Sequence, residues 1–137
     1  MNVYINKKKT FQTFEGFGAS GAWWAQEVGG WEHKDAESNL AVRDRISQLL
    51  YSKTEGIGLR TYRYNIGGGS KQSGNGKIDN PLRRIDSFET ADGRYDFDRD
   101  KNAVYMMEQA VMDGADEVVL FVNSPLERLT KNGKTHC

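Results

Sequence analysis

The chain is predicted to be an α/β protein built on a parallel sheet, and three features carry that expectation. Apolar residues recur at helical period in two segments, around residues 42–50 and 98–113. Two runs with strand character, 57–66 and 118–122, follow these segments in turn. Strands that alternate with helices in this way pair in parallel and connect through right-handed crossovers. At 137 residues the chain has room for one core of ordinary domain size.

The elements are justified in order. Val3 to Asn6 and Thr10 to Phe17 are rich in Val, Ile, Thr, Tyr and Phe and are joined by Lys7-Lys8-Lys9, which predicts a short β-hairpin. Gly16, Gly18 and Gly21 break the second stretch, and Ala22 to Gln26 gives a turn of helix before Gly29-Gly30. Val42, Ile46, Leu49 and Leu50 then fall at i, i+4, i+7 and i+8, one apolar stripe. Asp35, Ser38 and Asn39 offer N-cap oxygens for this helix, and Gly56 a left-handed stop. Ile57 to Ile66 is a strand with Leu59, Thr61, Arg63 and Asn65 on one face and Arg60, Tyr62 and Tyr64 on the other. Residues 67–97 form a long irregular segment with Gly67-Gly68-Gly69, Gly74, Gly76 and Asn80-Pro81, a length characteristic of a working surface. A second helix runs from about Asp98 or Asp100 to Asp113. It buries Val104, Met107 and Val111 with Ala103 and Ala110 beside them, and Gly114 ends it. Val118 to Val122 is a continuous apolar run, the signature of a strand buried on both faces.

Composition removes several classes of function. Nineteen Lys+Arg balance nineteen Asp+Glu, so no long-range field draws the chain to nucleic acid or to an anionic membrane. No apolar run approaches the roughly 18 residues of a membrane span. The charges of Lys7-Lys8-Lys9 follow an apolar-rich stretch, the reverse of a signal peptide. Cys137 is the sole cysteine, which excludes an internal disulfide. As encoded, the chain reads as cytoplasmic and soluble.

The short motifs with a known mechanism fail on context. Gly16-Phe17-Gly18-Ala19-Ser20-Gly21 is a literal GxGxxG. The preceding Phe11-Gln12-Thr13-Phe14-Glu15 is not uniformly apolar, however, and the following helix meets Gly29-Gly30 too soon for a dinucleotide crossover. Gly18-Ala19-Ser20-Gly21-Ala22 lacks the last glycine of a nucleophile elbow, and only His33 and His136 are there to act as base. Gly76-Lys77 lacks the upstream glycine of a phosphate loop, where Lys71 stands, and its following Ser/Thr. His136-Cys137 supplies too few ligands for a metal. No cofactor and no metal are expected.

Two groups of residues remain. Trp23, Trp24 and Trp31 follow the first strand, where the loops of an α/β fold gather. Indole planes suit the C–H faces of sugar rings, with a place in the core as the alternative for each. Arg63 and Asn65 sit at the end of the second strand on one face. A buried arginine cannot lose its proton and calls for a carboxylate partner, yet no acidic residue in the strands of this chain matches it.

Several of these segments together resemble a known family. Phe14-Glu15-Gly16-Phe17-Gly18-Ala19-Ser20, Trp23-Trp24, Gly56-Ile57-Gly58-Leu59-Arg60 and Arg63-Tyr64-Asn65-Ile66-Gly67-Gly68-Gly69 resemble the family 30 glycoside hydrolases, and within them the endo-β-1,6-galactanase-like branch. Tyr95-Asp96-Phe97-Asp98, Asn123-Ser124-Pro125 and Asn132-Gly133 follow in the expected order. The resemblance implies a (β/α)8 TIM barrel with an attached β-sandwich. Residues 1–9 would be a sandwich strand and turn, and residues 10–137 the first three βα units of a barrel that takes about 250 residues. The family's acid/base and nucleophile are glutamates after the fourth and seventh strands, so neither is expected here. Retaining hydrolysis needs both, about 5 Å apart.

The resemblance therefore implies the N-terminal portion of a retaining endo-glycosidase acting on a β-linked, β-1,6-galactan-like glycan, and inactive alone. Trp23 and Trp24 would line the substrate cleft, Arg63 would orient the absent nucleophile, and Asn65 would support the same region. Where the family has Pro and aromatics after Asn123-Ser124-Pro125, this chain has Leu126-Glu127-Arg128-Leu129. The open third strand predicts self-association, and full-length relatives are expected to be secreted. The alternative is a small non-catalytic carbohydrate-binding module that uses Trp23, Trp24 and Trp31 as a platform; a nucleotide-binding βαβ protein ranks below it.

Overall fold

The computed structural model describes residues 1–71 and 78–136. Gly74, Gly76-Lys77 and Cys137, singled out above, lie outside the described residues. Six elements follow one another: β1 (Gly18–Ser20), α1 (Trp24–Val28), α2 (Val42–Tyr51), β2 (Thr61–Ile66), α3 (Lys101–Asp113) and β3 (Glu117–Val122). Single 3-10 turns occur at Pro81–Arg83 and Glu127–Leu129. The sheet has the order β1-β2-β3 and both pairings are parallel, as the alternation of strands and helices predicts. Ser20 lies opposite Arg63, and Arg63 and Asn65 lie opposite Val119 and Phe121.

Alternation along β2 divides the sheet into two unlike faces. Tyr62 and Tyr64 turn toward the helices and pack with Tyr51 of α2, with Ala25 and Val28 of α1, and with Ala103, Met106 and Ala110 of α3. The Tyr51 and Tyr62 rings meet at 5.8 Å. Burial pushes the Tyr51 hydroxyl up to about 12 and the Tyr62 hydroxyl higher still, since the phenolate loses its hydration there. Arg63 and Asn65 occupy the opposite face.

The first strand is not where β-propensity placed it. Residues 3–6 and 10–17 form no hairpin. The turn between them exists, with Lys9 N–H donating to the Asn6 carbonyl (3.1 Å) and Lys8 N–H to Asn6 Oδ1 (3.0 Å). Val3, Tyr4, Ile5 and Phe11 are nevertheless exposed, and no strand among the described residues pairs with them. The strand that joins the sheet is the glycine-bearing Gly18–Ser20. A Cβ on Gly18 would lie 2.8 Å from Thr61 Cβ, so the close parallel pairing with β2 depends on a missing side chain.

The helix boundaries bring further corrections. α2 is capped by Ala41 with no side-chain cap bond. Asp35 instead closes its own loop by accepting from Ser38 N–H (2.8 Å) and Oγ (2.7 Å), which holds its carboxyl below the ordinary range. Gly56 is not left-handed; Gly58 is, at φ +65°. Gly56 serves by close approach, because a Cβ there would meet the carbonyl oxygens of Gln48 and Leu49 at 2.4 Å.

α3 ends at Gly114 (φ +129°) as expected, but its core face is Ala103, Met106 and Ala110. Val104 and Met107 flank that face and Val111 is exposed. The alanines let α1 and α2 press close, so the small residues rather than the largest ones mark the contact line.

The largest departure is β3. It stands at the end of the sheet order, and Val119, Leu120 and Val122 are 46%, 64% and 68% exposed. A run suited to burial on both faces lies at an open edge. Among the described residues no helix is long and apolar enough to cross a membrane.

Candidate functional site

The segments that leave the carboxyl ends of β1, β2 and β3 converge. Asn123 N–H donates to the Ile66 carbonyl (3.3 Å), and Gly68 N–H donates to Ser124 Oγ (2.9 Å). A Cβ on Gly68 would lie 2.1 Å from the Pro125 carbonyl oxygen, so glycine there lets the β2 and β3 loops cross. Within the loop after β2, Ile85 N–H donates to Ser70 Oγ (2.9 Å).

On the sheet face away from the helices, the Arg63 guanidinium carbon lies 4.0 Å from the centre of the Phe121 ring. Arg63 Nε is buried with no hydrogen-bond partner among the described residues. Asn65 is 3% exposed, and both of its amide atoms are likewise unpartnered. Buried polar groups in this state call for partners outside the described residues, because leaving them unpaired is costly. A cavity of about 350 Å³ opens beside Arg63, lined also by Ser20, Thr61 and Val119.

The tryptophans take different places. The Trp24 indole N–H donates to the Ser20 carbonyl (2.7 Å), and its ring packs against the helix-side core. Trp23, joined to Ala22 by a cis peptide, lines a separate cavity of about 470 Å³, with the Arg83 guanidinium 5.1 Å from its ring centre. Trp31 lies 6.4 Å from the His33 ring and lines neither cavity. Arg63 and Asn65 thus stand together on one face, and Trp23 alone of the tryptophans lines a cavity at the loop end.

Sequence reasoning missed several residues around these cavities. Ser70, Arg83, Lys134 and Thr135 line the Trp23 cavity from irregular segments that carry no periodicity. Arg128, in the Leu126–Leu129 stretch, forms a two-pronged ion pair with Glu89: Nε to Oε1 at 2.5 Å and Nη2 to Oε2 at 2.9 Å. The pair ties the loop after β2 to the segment after β3, and the Arg128 hydrogen bond holds the Glu89 carboxyl below its ordinary range. It borders a third cavity of about 530 Å³.

Behind β2, Tyr64 donates to Asp100 Oδ2 (2.7 Å) at the start of α3. Burial pushes the Asp100 carboxyl up to about 6, with the Tyr64 hydrogen bond opposing and the Asp86 charge adding. Lys71 pairs with Asp86 at 2.9 Å. Among the described residues no three His, Cys, Asp or Glu side chains group as a metal site. The two faces described offer aromatic surface, amide groups and guanidinium groups.

The sequence model of O-glycosyl hydrolase family 30 matches residues 1–137. The chain is 28% identical over 142 aligned residues to an endo-β-1,6-galactanase of Hypocrea rufa, covering 93% of this chain and 29% of that protein. A crystal structure described as a conserved exported protein from Bacteroides fragilis superposes with a TM-score of 0.76 at 27% identity, covering 95% of this chain and 27% of that one. The catalytic domain of the GH30 xylanase C of Talaromyces cellulolyticus superposes with a TM-score of 0.59 at 20% identity, covering 94% of this chain and 27% of that one; it bears on the fold alone. The chain spans under a third of the length of each of these relatives.

Proposed function

Because the chain belongs to O-glycosyl hydrolase family 30 across residues 1–137, we propose that it forms the N-terminal portion of a retaining endo-glycosidase acting on a β-linked glycan of the β-1,6-galactan type. On this reading β1, β2 and β3 are the first three strands of a (β/α)8 barrel, residues 1–9 lead to a β-sandwich, and the two catalytic glutamates follow later strands. The chain supplies part of the sugar cleft and neither glutamate.

The observation that carries the reading is the state of Arg63 and Asn65. Asn65 stands next to the carboxyl end of β2 and Arg63 two residues before it, both on the sheet face away from the core, with Arg63 Nε and the whole Asn65 amide buried and unpartnered among the described residues. Catalytic groups of a barrel gather at that end. A guanidinium there would hold a nucleophilic carboxylate ionised and oriented. Trp23 adds an aromatic wall, and Trp24 is anchored on the helix side through its indole N–H to the Ser20 carbonyl. The same reading accounts for β3, whose free edge would pair with a fourth strand; without one, the 137-residue chain is expected to self-associate through that edge.

A chimera tests the proposal. Residues 1–137 replace the matching segment of the Hypocrea rufa endo-β-1,6-galactanase, and the expected outcome is retained hydrolysis of β-1,6-galactan. In that chimera Arg63→Ala lowers kcat by about a hundredfold, the scale of losing one preorganised electrostatic contact. A folded chimera with no activity, or one indifferent to Arg63→Ala, refutes the reading. So does hydrolysis by the isolated chain that vanishes on replacing one of its own Asp or Glu. A second reading, a binding module complete in itself, is favoured by one fact: the Trp23 cavity is lined within this chain. That reading requires saturable sugar binding by the chain and an inactive chimera.

A further inference from the structure

The loop after β2 is fastened to the start of α3 by buried polar groups that the proposed function leaves unused. Its two described legs are tied to each other: Lys71 N–H donates to the Ile85 carbonyl (3.1 Å), Ile85 N–H to Ser70 Oγ (2.9 Å), and Lys71 Nζ to Asp86 Oδ2 (2.9 Å). Phe88, at the end of the second leg, stacks on Tyr64 of β2 with ring centres 6.3 Å apart. Arg99, just before α3, donates to the Ser87 and Glu89 carbonyls at 3.3 and 2.9 Å. Asp100 comes next in sequence, is 4% exposed, and accepts from the Tyr64 hydroxyl.

These surroundings favour an uncharged Asp100. Among the described residues it forms no ion pair. The titratable groups that act on it or on which it acts are Tyr62 and Tyr64 from β2 and Asp86 and Lys71 from the two legs of the loop. Asp86 is itself buried, and its charge repels an ionised Asp100. The Lys71 ammonium attracts it, but that side chain is 60% exposed and bonded to Asp86, so the attraction is screened. The neighbouring Arg99 has its guanidinium on the loop carbonyls. A protonated Asp100 still accepts from Tyr64 and meets no repulsion. Once ionised, it sets a second negative charge against Asp86 across the contact between loop and helix.

We propose that Asp100 is a proton-held latch: while it carries its proton, the Ile85–Phe88 leg stays seated on Tyr64 and the start of α3, and on ionisation the repulsion from Asp86 and the gain of hydration favour lifting that leg away. Ser70 and Ile85 line the Trp23 cavity, so the wall of that cavity is firmer in acid than at neutral pH. The device uses only residues of this chain and stands independently of the glycosidase reading. Its sign follows from linkage. The carboxyl lies at about 6 when seated and returns toward 3.8 when it meets solvent, so opening becomes easier as the pH climbs between those values and levels off above them.

Hydrogen exchange of the 137-residue chain, followed by NMR from about pH 4 to about pH 7 and corrected for the intrinsic pH dependence of exchange, tests the latch. The reporters are the amides of Lys71, Ile85 and Asp96, the last of which donates to the Phe88 carbonyl at 2.8 Å. They are expected to be less protected than the amides of the β2–β3 ladder, and to lose about tenfold or more of their protection by about pH 6, with little change above. Asp100→Asn keeps an acceptor for Tyr64, cannot ionise, and holds the acid level of protection throughout. Lys71→Gln, at an exposed side chain, removes an attraction that favours the ionised form, so the loss runs on to higher pH. Reporter amides with pH-independent protection overturn the proposal, as does a loss that survives Asp100→Asn. Reporters that open only together with the β2–β3 ladder overturn it too, because the leg then has no motion of its own. Should Asp100→Asn fail to fold, the parent and Lys71→Gln profiles decide: a loss that does not move to higher pH in Lys71→Gln removes the latch.

Discussion

β2 and β3 are neighbouring six-residue strands in one parallel register, yet they live in different environments. β2 carries alternating tyrosines and polar residues, and its Tyr62, Tyr64 and Asn65 are buried. β3 carries five consecutive apolar residues, and three of them are exposed. Burial here follows position in the sheet and not hydrophobicity of the strand. β2 has a strand on each side and α3 behind it, while β3 has one neighbour. A strand more apolar than its buried neighbour is left at an edge, and in the proposed barrel a fourth strand would pair with it.

If that contrast is right, truncations on the two strands differ sharply. Tyr62→Ala opens a cavity in the centre of the core and is expected to cost about 3–5 kcal/mol, the range for large aromatic truncations. Leu120→Ala, on the exposed side of β3, is expected to cost under about 1 kcal/mol. Urea denaturation of the two variants against the parent chain measures both. Equal losses would mean that β3 is buried in solution and the contrast is lost.

The buried face of β2 also carries a titration that β3 lacks. The Asp100 carboxyl, under Tyr64, is raised from 3.8 to about 6, chiefly by burial. An acid whose folded value lies above its unfolded value binds its proton more tightly when folded. Its contribution is therefore most favourable below about pH 4, declines between 4 and 6, and is flat above. The shift is roughly two units at about 1.4 kcal/mol each, so the chain is expected to lose about 2–3 kcal/mol across that window. Asp100→Asn keeps an acceptor for the Tyr64 hydroxyl and flattens the profile. A wild-type profile already flat between pH 4 and 6 would sink this prediction.

Close packing at the top of β1 sharpens the same contrast at smaller scale. A Cβ on Gly21 would fall 2.0 Å from the Tyr62 hydroxyl, which is buried and not free to swing away. Gly21→Ala is expected to cost about 1–3 kcal/mol by overpacking. Gly93→Ala, where nothing stands within 4 Å but φ is +80°, is expected to cost about 1 kcal/mol from the backbone alone. Thermal melts of the pair separate packing from backbone strain.

The same physics explains what could be read before the structure. The alternation in β2 was legible, and it placed Tyr62 and Tyr64 on one face with Arg63 and Asn65 on the other, because strand period is local and needs no neighbour. The helices at 42–51 and 101–113 were legible for the same reason. The hairpin at residues 3–17 was misread because β-propensity records a liking for half-buried surface and not the presence of a partner strand. The core face of α3 was placed on Val104, Met107 and Val111 instead of Ala103, Met106 and Ala110, because α1 and α2 pack against small residues, which hydrophobic periodicity undervalues. β3 was misread because its burial depends on neighbours that a strand's own sequence does not announce. At the candidate site Trp23, Arg63 and Asn65 were accessible as positions at strand ends. Arg83, Lys134 and Thr135 were not, since loop crossings such as Gly68 over Pro125 bring them to one hollow without any sequence spacing to show it.

The smallest expected effect on stability is the most informative about the edge. Leu120→Lys places a charge on the exposed side of β3, a device by which natural edge strands resist pairing. Since Leu120 is mostly in solvent already, folding stability is expected to move by no more than about 0.5 kcal/mol. Self-association should fall all the same: sedimentation velocity of the isolated chain is expected to show oligomers for the parent and mainly monomer for the variant. A parent chain that is monomeric at every concentration would remove the open edge as an interaction surface. A variant that loses several kcal/mol would place Leu120 inside the core, and β3 would then resemble β2 after all.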